Sequence, residues 1–102
     1  MAQLPQIVWT KKATKDYISI LDYWTARNKS IVYAEKLISI VQHTVQQLQH
    51  FPELGKATSR QHYRYVVIDE DYLLIYKFSR NELTIMRIWH SKQNPKRITY
   101  LK

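Results

Sequence analysis

Cysteine is absent, which removes any disulfide scaffold, thiolate ligand or thiol nucleophile and leaves the fold to be held by its core. Glycine occurs once, at Gly55, so neither a phosphate-cradling loop nor a dinucleotide fingerprint can be written. No stretch approaches the roughly 18 consecutive apolar residues of a spanning helix. The opening Met-Ala-Gln-Leu-Pro-Gln has neither the basic nor the apolar part of a signal segment. Together these absences predict a cytoplasmic protein without membrane attachment. Acidic residues are also few, 8 against 16 basic ones for a net charge of +8, and none follows Glu82. Arg87, Lys92, Lys96, Arg97 and Lys102 all lie beyond it, while Asp69, Glu70, Asp71 and Glu82 gather in expected turns. One end of the molecule is thus expected to be positive. Such a patch suits RNA, DNA or an acidic protein segment, and composition does not choose among them.

What is present suffices for a packed fold. Apolar residues make up 45% of the chain, well above the composition of disordered segments. The 102 residues match one domain, since either half alone is too short to bury a good core, so 1–102 is expected to fold as one unit. Residues 6–9 form a short run of β-formers. Thr10 is placed to cap a helix over about 11–27, whose apolar positions are Ala13, Tyr17, Ile20, Leu21 and Trp24. After a polar break at Asn28-Lys29-Ser30, with Ser30 as a second cap, Ile31, Ala34, Leu37, Ile38, Val41, Val45 and Leu48 continue at helical spacing. That helix must stop near Phe51, because Pro52 biases the preceding residue out of the α region. From His62 the period changes, and 63–68, 72–78 and 83–90 read as strands joined by turns short enough to force antiparallel neighbours. The expected fold class is therefore α+β: an N-terminal strand, a two-helix hairpin, then a three-stranded antiparallel sheet, in the order β-α-α-β-β-β. Apolar residues in the last two strands fall on both parities, while one helix pair covers one face. A further layer is expected on the second face.

The acidic trio at 69–71 reads as a solvated turn, and neither a metal site nor a cofactor is expected. His43 and His50 lie on the second helix as structural or solvent-facing residues, and His62 at a strand start is uninformative. His90 ends the last strand among Arg87 and Lys92, where a histidine can serve as general acid or base. Arg64 and Arg87 sit in otherwise apolar strands, so each needs a carboxylate, a phosphate or an exposed edge. An internal ion pair and an anion site remain equally open at this point. Tyr63, Tyr65, Trp89 and Tyr100 suit base stacking as well as they suit packing.

Phe51-Pro52-x-x-Gly55, Tyr63-Arg64, the Tyr72 to Tyr76 strand, then Ile85-x-x-Ile88 and His90 follow in an order that resembles the RelE/ParE toxin family, from Val8 to about Arg97. The resemblance implies a compact toxin of a toxin-antitoxin pair, neutralised by a cognate antitoxin that wraps it. In that family RelE-like members cleave mRNA in the ribosome with basic residues and a C-terminal histidine or tyrosine, and ParE-like members inhibit DNA gyrase without nuclease activity. On the nuclease reading Arg64, Arg87 and His90 would be catalytic, without a metal. On the ParE-like reading, which is the one adopted here, Lys92, Lys96 and Arg97 would contact the target. No tyrosine follows His90 within five residues, and Tyr100 falls late for the RelE position. A non-toxic nucleic-acid-binding module is the third reading. A homodimer is the alternative to the antitoxin as cover for the second face.

Overall fold

The computed structural model describes residues 4–69 and 71–90. Strand β1 (Gln6–Trp9) leads into helix α1 (Lys11–Asn28), and helix α2 (Val32–His50) ends in a 3-10 turn (Pro52–Leu54). Strands β2 (Lys56–Ala57), β3 (Tyr63–Ile68), β4 (Tyr72–Phe78) and β5 (Glu82–His90) follow. The α+β order holds, but the sheet has five strands in the order β1-β5-β4-β3-β2. The first strand joins it parallel to β5, with Gln6 opposite Glu82 and Trp9 opposite Ile85. The short β2 adds an antiparallel edge on β3. Sequence missed both: two residues carry no periodicity, and which neighbour β1 takes is settled by tertiary packing.

Thr10 caps α1 as expected, its side chain accepting from the Ala13 N–H at 3.0 Å, and its hydroxyl also donates to the Met86 carbonyl at 3.0 Å. The helix ends one residue later than expected, with Lys29 in the left-handed region closing the last turn on Thr25. Ser30 Oγ accepts from the Val32 N–H at 3.2 Å, which relieves one unpaired donor of the first turn although the flanking residue of α2 is Ile31.

Both helices lie on one face of the sheet. Ala13, Leu37, Val41, Val45 and Leu48 meet Ile68, Tyr72, Leu74, Tyr76, Leu83, Ile85 and Ile88 in one core. Ile85 and Ile88 reach the same side only because the β4–β5 register shifts, with Tyr76 opposite Ile85 but Ile75 opposite Arg87. The extra residue, Met86, forms a bulge that turns the strand by one parity. The bulge accounts for apolar residues on both parities of β5. On the other face, Leu73 and Ile75 of β4 are buried too, although no described helix lies there.

Candidate functional site

Of the residues singled out by sequence, Arg87 and His90 line one depression of about 320 Å³ with Asp16, Tyr72 and Trp89, and Arg64 lies apart from it. Arg64 stands directly opposite Tyr76 and His90 opposite Tyr72. Those partners are four residues apart along β4, so Arg64 and His90 lie about 13 Å apart along the strand direction. Each also has local work. Arg64 Nη1 donates to the carbonyls of Gly55 at 2.8 Å and Glu53 at 3.4 Å. From the opposite strand, the Tyr76 hydroxyl donates to the Pro52 carbonyl at 2.6 Å and accepts from the Gly55 N–H at 2.9 Å. Two neighbouring side chains thereby pin the turn at 51–55. Burial raises the Tyr76 phenol above its ordinary pKa, against the opposing pull of the Gly55 N–H and the Arg64 charge.

Arg87 forms a fork with Asp16 of α1, Nε to Oδ2 at 2.7 Å and Nη2 to Oδ1 at 3.1 Å. Asp16 Oδ2 accepts the Ile88 N–H as well, at 3.2 Å. Strand β1 ends opposite Ile85, so beyond that point the carboxylate of α1 takes the place of the missing strand along the flank of β5. The guanidinium also stacks 4.3 Å above the Trp89 ring. Of the two readings left open for Arg87, the ion pair is the one seen. Nothing local in the sequence points to Asp16, which lies 71 positions away.

His90 packs edge-on to Tyr72, with ring centroids 5.2 Å apart, beside a cleft of about 520 Å³ that also takes in Ser19, Tyr23, Trp24, Arg27 and Asp71. The Tyr72 hydroxyl accepts from the Trp24 indole at 2.6 Å, and burial raises the Tyr72 pKa more than that bond lowers it. Tyr33, whose pKa is raised first by burial and then by its hydrogen bond to Asp69, ties the start of α2 to the β3–β4 turn. Lys92, Lys96 and Arg97 lie outside the described residues.

A larger opening lies elsewhere. Between the helix hairpin and β1 runs a groove of about 600 Å³ lined by Ile7, Trp9, Tyr17, Leu21, Ile38 and Val41. Trp9 and Tyr17 stack at its mouth with centroids 5.3 Å apart, and Tyr17 too is raised in pKa by burial. Gln49 Nε2 holds the approach to β1 through the Pro5 carbonyl at 2.9 Å. The outer side of β1 is a sheet edge. A second depression of about 380 Å³ shares Trp9 and adds Lys11, Lys15 and Ile18, the last 53% exposed. Lys11 and Lys12 lie in the first turn of α1, which holds no acid and where the helix dipole disfavours cations, and Lys15 follows one turn on. By spacing alone Tyr17 and Leu21 are indistinguishable from ordinary core positions of α1. Their one visible signal was an apolar arc on α1 wide enough to reach Ile18 as well.

The fold, a helix hairpin over one face of a mixed sheet, is similar to that of chains in two solved toxin-antitoxin structures. The structure of the chromosomal ParDE toxin-antitoxin system from P. aeruginosa contains a chain with 20% identity and a TM-score of 0.71, covering 85% of this chain and 96% of that one. A chain of the E. coli DinJ-YafQ toxin-antitoxin complex has 14% identity and a TM-score of 0.58, covering 86% and 93%. No curated protein sequence matches. Over residues 7–95 the chain matches the family described as the ParE toxin of the type II toxin-antitoxin system parDE, and it belongs to that family.

Proposed function

We propose that this ParE-type toxin arrests growth in the cytoplasm by binding a target such as DNA gyrase, without covalent chemistry, and is neutralised by a cognate antitoxin. The observation that carries the first part is that the nuclease candidates do not form one site: Arg87, beside His90, is engaged by Asp16, and Arg64 is engaged by turn carbonyls toward the other end of the strands. A phosphoryl-transfer site needs charge and proton donors converging within about 3 Å of the reacting atoms, and these three residues do not converge.

The antitoxin segment would lie in the groove beside β1. Apolar anchors would enter between Trp9, Leu21 and Ile38, and acidic residues would face Lys11, Lys12 and Lys15. Buried aromatics supply most of the energy of such contacts, and the lysines speed association more than they tighten it.

Two assays separate the readings. Purified toxin added to gyrase should block supercoiling, while primer extension on mRNA from a translating extract should show no codon-phased cuts. Cuts without gyrase inhibition would overturn the target assignment. The groove is tested by Ile38→Glu, which should weaken binding to the product of the neighbouring reading frame by about 100-fold through one desolvated charge, with toxicity kept. Unchanged binding would place the antitoxin elsewhere.

A further inference from the structure

The sheet edge farthest from the groove carries a second set of basic side chains. There β2 and β3 are joined by a closed turn, in which the Thr58 N–H donates to the Tyr63 carbonyl at 3.0 Å and Thr58 Oγ1 accepts from the Arg60 N–H at 3.1 Å. His62 leads the chain into β3 through a left-handed φ of 71°. Beside the turn lies a depression of about 320 Å³, lined by Arg60, Gln61, His62, Tyr63, Arg64 and Phe78 among others. None of the described residues that line it is acidic.

Both arginines are backed by rings. Arg60 Cζ lies 5.0 Å from the ring centroid of Tyr63, and Arg64 Cζ 6.0 Å from that of Phe78. Stacking covers a face of the guanidinium plane and leaves its rim, where the N–H groups lie, to an anion. Arg64 reaches the turn carbonyls through Nη1 alone; among the described residues its Nε and Nη2 have no hydrogen-bond partner. Lys77, directly opposite Tyr63, holds its ammonium 6.0 Å from the same ring and adds to the positive charge. A phosphate ion or an acidic peptide would engage the cations and leave the rings unused. A nucleotide engages both, its phosphate on the guanidinium rims and its base against an aromatic ring or a guanidinium plane. Bases in a duplex are already stacked on one another, so this combination selects an unpaired strand.

We propose that the β2–β3 turn holds one nucleotide of an unpaired nucleic-acid strand, with the phosphate between Arg60 and Arg64 and the base stacked on the paired rings and guanidinium planes. Three strands separate this edge from β1, so the nucleotide and an antitoxin segment in the groove have separate seats. The site does not depend on which target the toxin arrests, because DNA and RNA strands present the same phosphate and base faces.

Fluorescence anisotropy of the full chain with labelled oligo-dT, oligo-U and a duplex of equal length, over a range of salt, tests the proposal. Binding of either single strand supports it, and the tighter of the two names the strand. Arg60→Ala, at an exposed position, should reduce the logarithmic salt slope by about 0.7, the share of one phosphate contact, which is about a fourfold loss at about 0.15 M salt. Lys12→Ala removes the same charge from α1 and should leave the slope unchanged. A strand without bases should bind about fivefold more weakly or worse, since it keeps the phosphates and loses the stacking. Titration with a thymidine dinucleotide should shift the His62 imidazole resonances, assigned with His62→Gln, and not those of His43. Overturning results are a duplex bound as tightly as the single strand, inorganic phosphate shifting His62 as strongly as the dinucleotide, an acidic peptide bound in preference to both strands, or a salt slope that ignores Arg60→Ala and falls only with Lys92→Ala, Lys96→Ala and Arg97→Ala.

Discussion

Replacing Gly55 by alanine tests how the 51–55 turn is held. Gly55 has an ordinary extended backbone, φ −72° and ψ 158°, so no left-handed conformation demands glycine there. The demand is for space: an added Cβ would stand 2.6 Å from the Tyr76 hydroxyl and 2.8 Å from both Tyr76 Cε1 and the Tyr65 carbonyl oxygen. Tyr76 is fully buried and cannot swing aside without leaving its two bonds to Pro52 and Gly55. Overpacking of this sort costs about 1–3 kcal/mol. Weakening two hydrogen bonds adds about 1 kcal/mol each, and the stiffer unfolded chain returns about 0.5–1 kcal/mol. The expected loss is about 2–4 kcal/mol, or about 10–25 °C in Tm for a chain of this size. The measurement is urea unfolding of Gly55→Ala, Tyr76→Phe and the double variant. Tyr76→Phe alone should cost about 1–3 kcal/mol, by orphaning one backbone donor and one acceptor. Because it also removes the atom closest to the new methyl, the double variant should be less destabilised than the sum by about 1–2 kcal/mol. Additive losses, or a Gly55→Ala cost below about 0.5 kcal/mol, would refute the close-approach argument.

Three further outcomes are expected. Asp16→Asn should lower stability by about 1–2 kcal/mol, because it weakens a charge-assisted fork whose partners are still about one-fifth exposed; an unchanged unfolding midpoint would show that solvent replaces the carboxylate without cost. Tyr17, Tyr33, Tyr72 and Tyr76 all have raised pKa values, so the folded state keeps protons that the unfolded state releases near pH 10. Their contribution to stability is thus complete below about pH 10 and is lost as pH rises through the raised values. Absorbance titration should show these four tyrosines ionising at higher pH in folded than in unfolded protein, and identical titration of the two states would contradict the burial assigned to them. Finally, His90→Ala should leave growth arrest intact, whereas loss of a general acid or base would cost about two to four decades of activity.

The elements whose side chains repeat regularly were legible in the sequence. Leu37, Val41, Val45 and Leu48 mark one face of α2 by spacing alone, and all four are buried. Thr10 was legible as a cap from its position before an amphipathic run. Relations between distant residues were not. The Asp16–Arg87 fork, the Thr10–Met86 hydrogen bond and the pairing of β1 with β5 join segments more than 70 positions apart, and no local pattern encodes them. For Arg64 the sequence showed a cation in an apolar strand; its partners proved to be backbone carbonyls, which any residue can supply. The apolar groove was hidden for a similar reason, because half-buried Tyr17 and Leu21 have the same period as a core residue.

The place of β5 in the sheet has a consequence during synthesis. The helix hairpin and the β3–β4 hairpin join neighbouring segments and can form as they emerge, since closing short loops is cheap. Strand β1, made first, waits for β5, and the Thr10 cap waits for the carbonyl of Met86, 76 positions downstream. The last described strand is the seam between β1 and the rest of the sheet. A chain halted before residue 82 therefore has helices and a hairpin but no complete groove, and no Asp16–Arg87 fork. On the proposed function, activity that needs the whole sheet would switch on only as the final strand zips in, leaving an interval in which a cognate antitoxin would meet the unfinished chain.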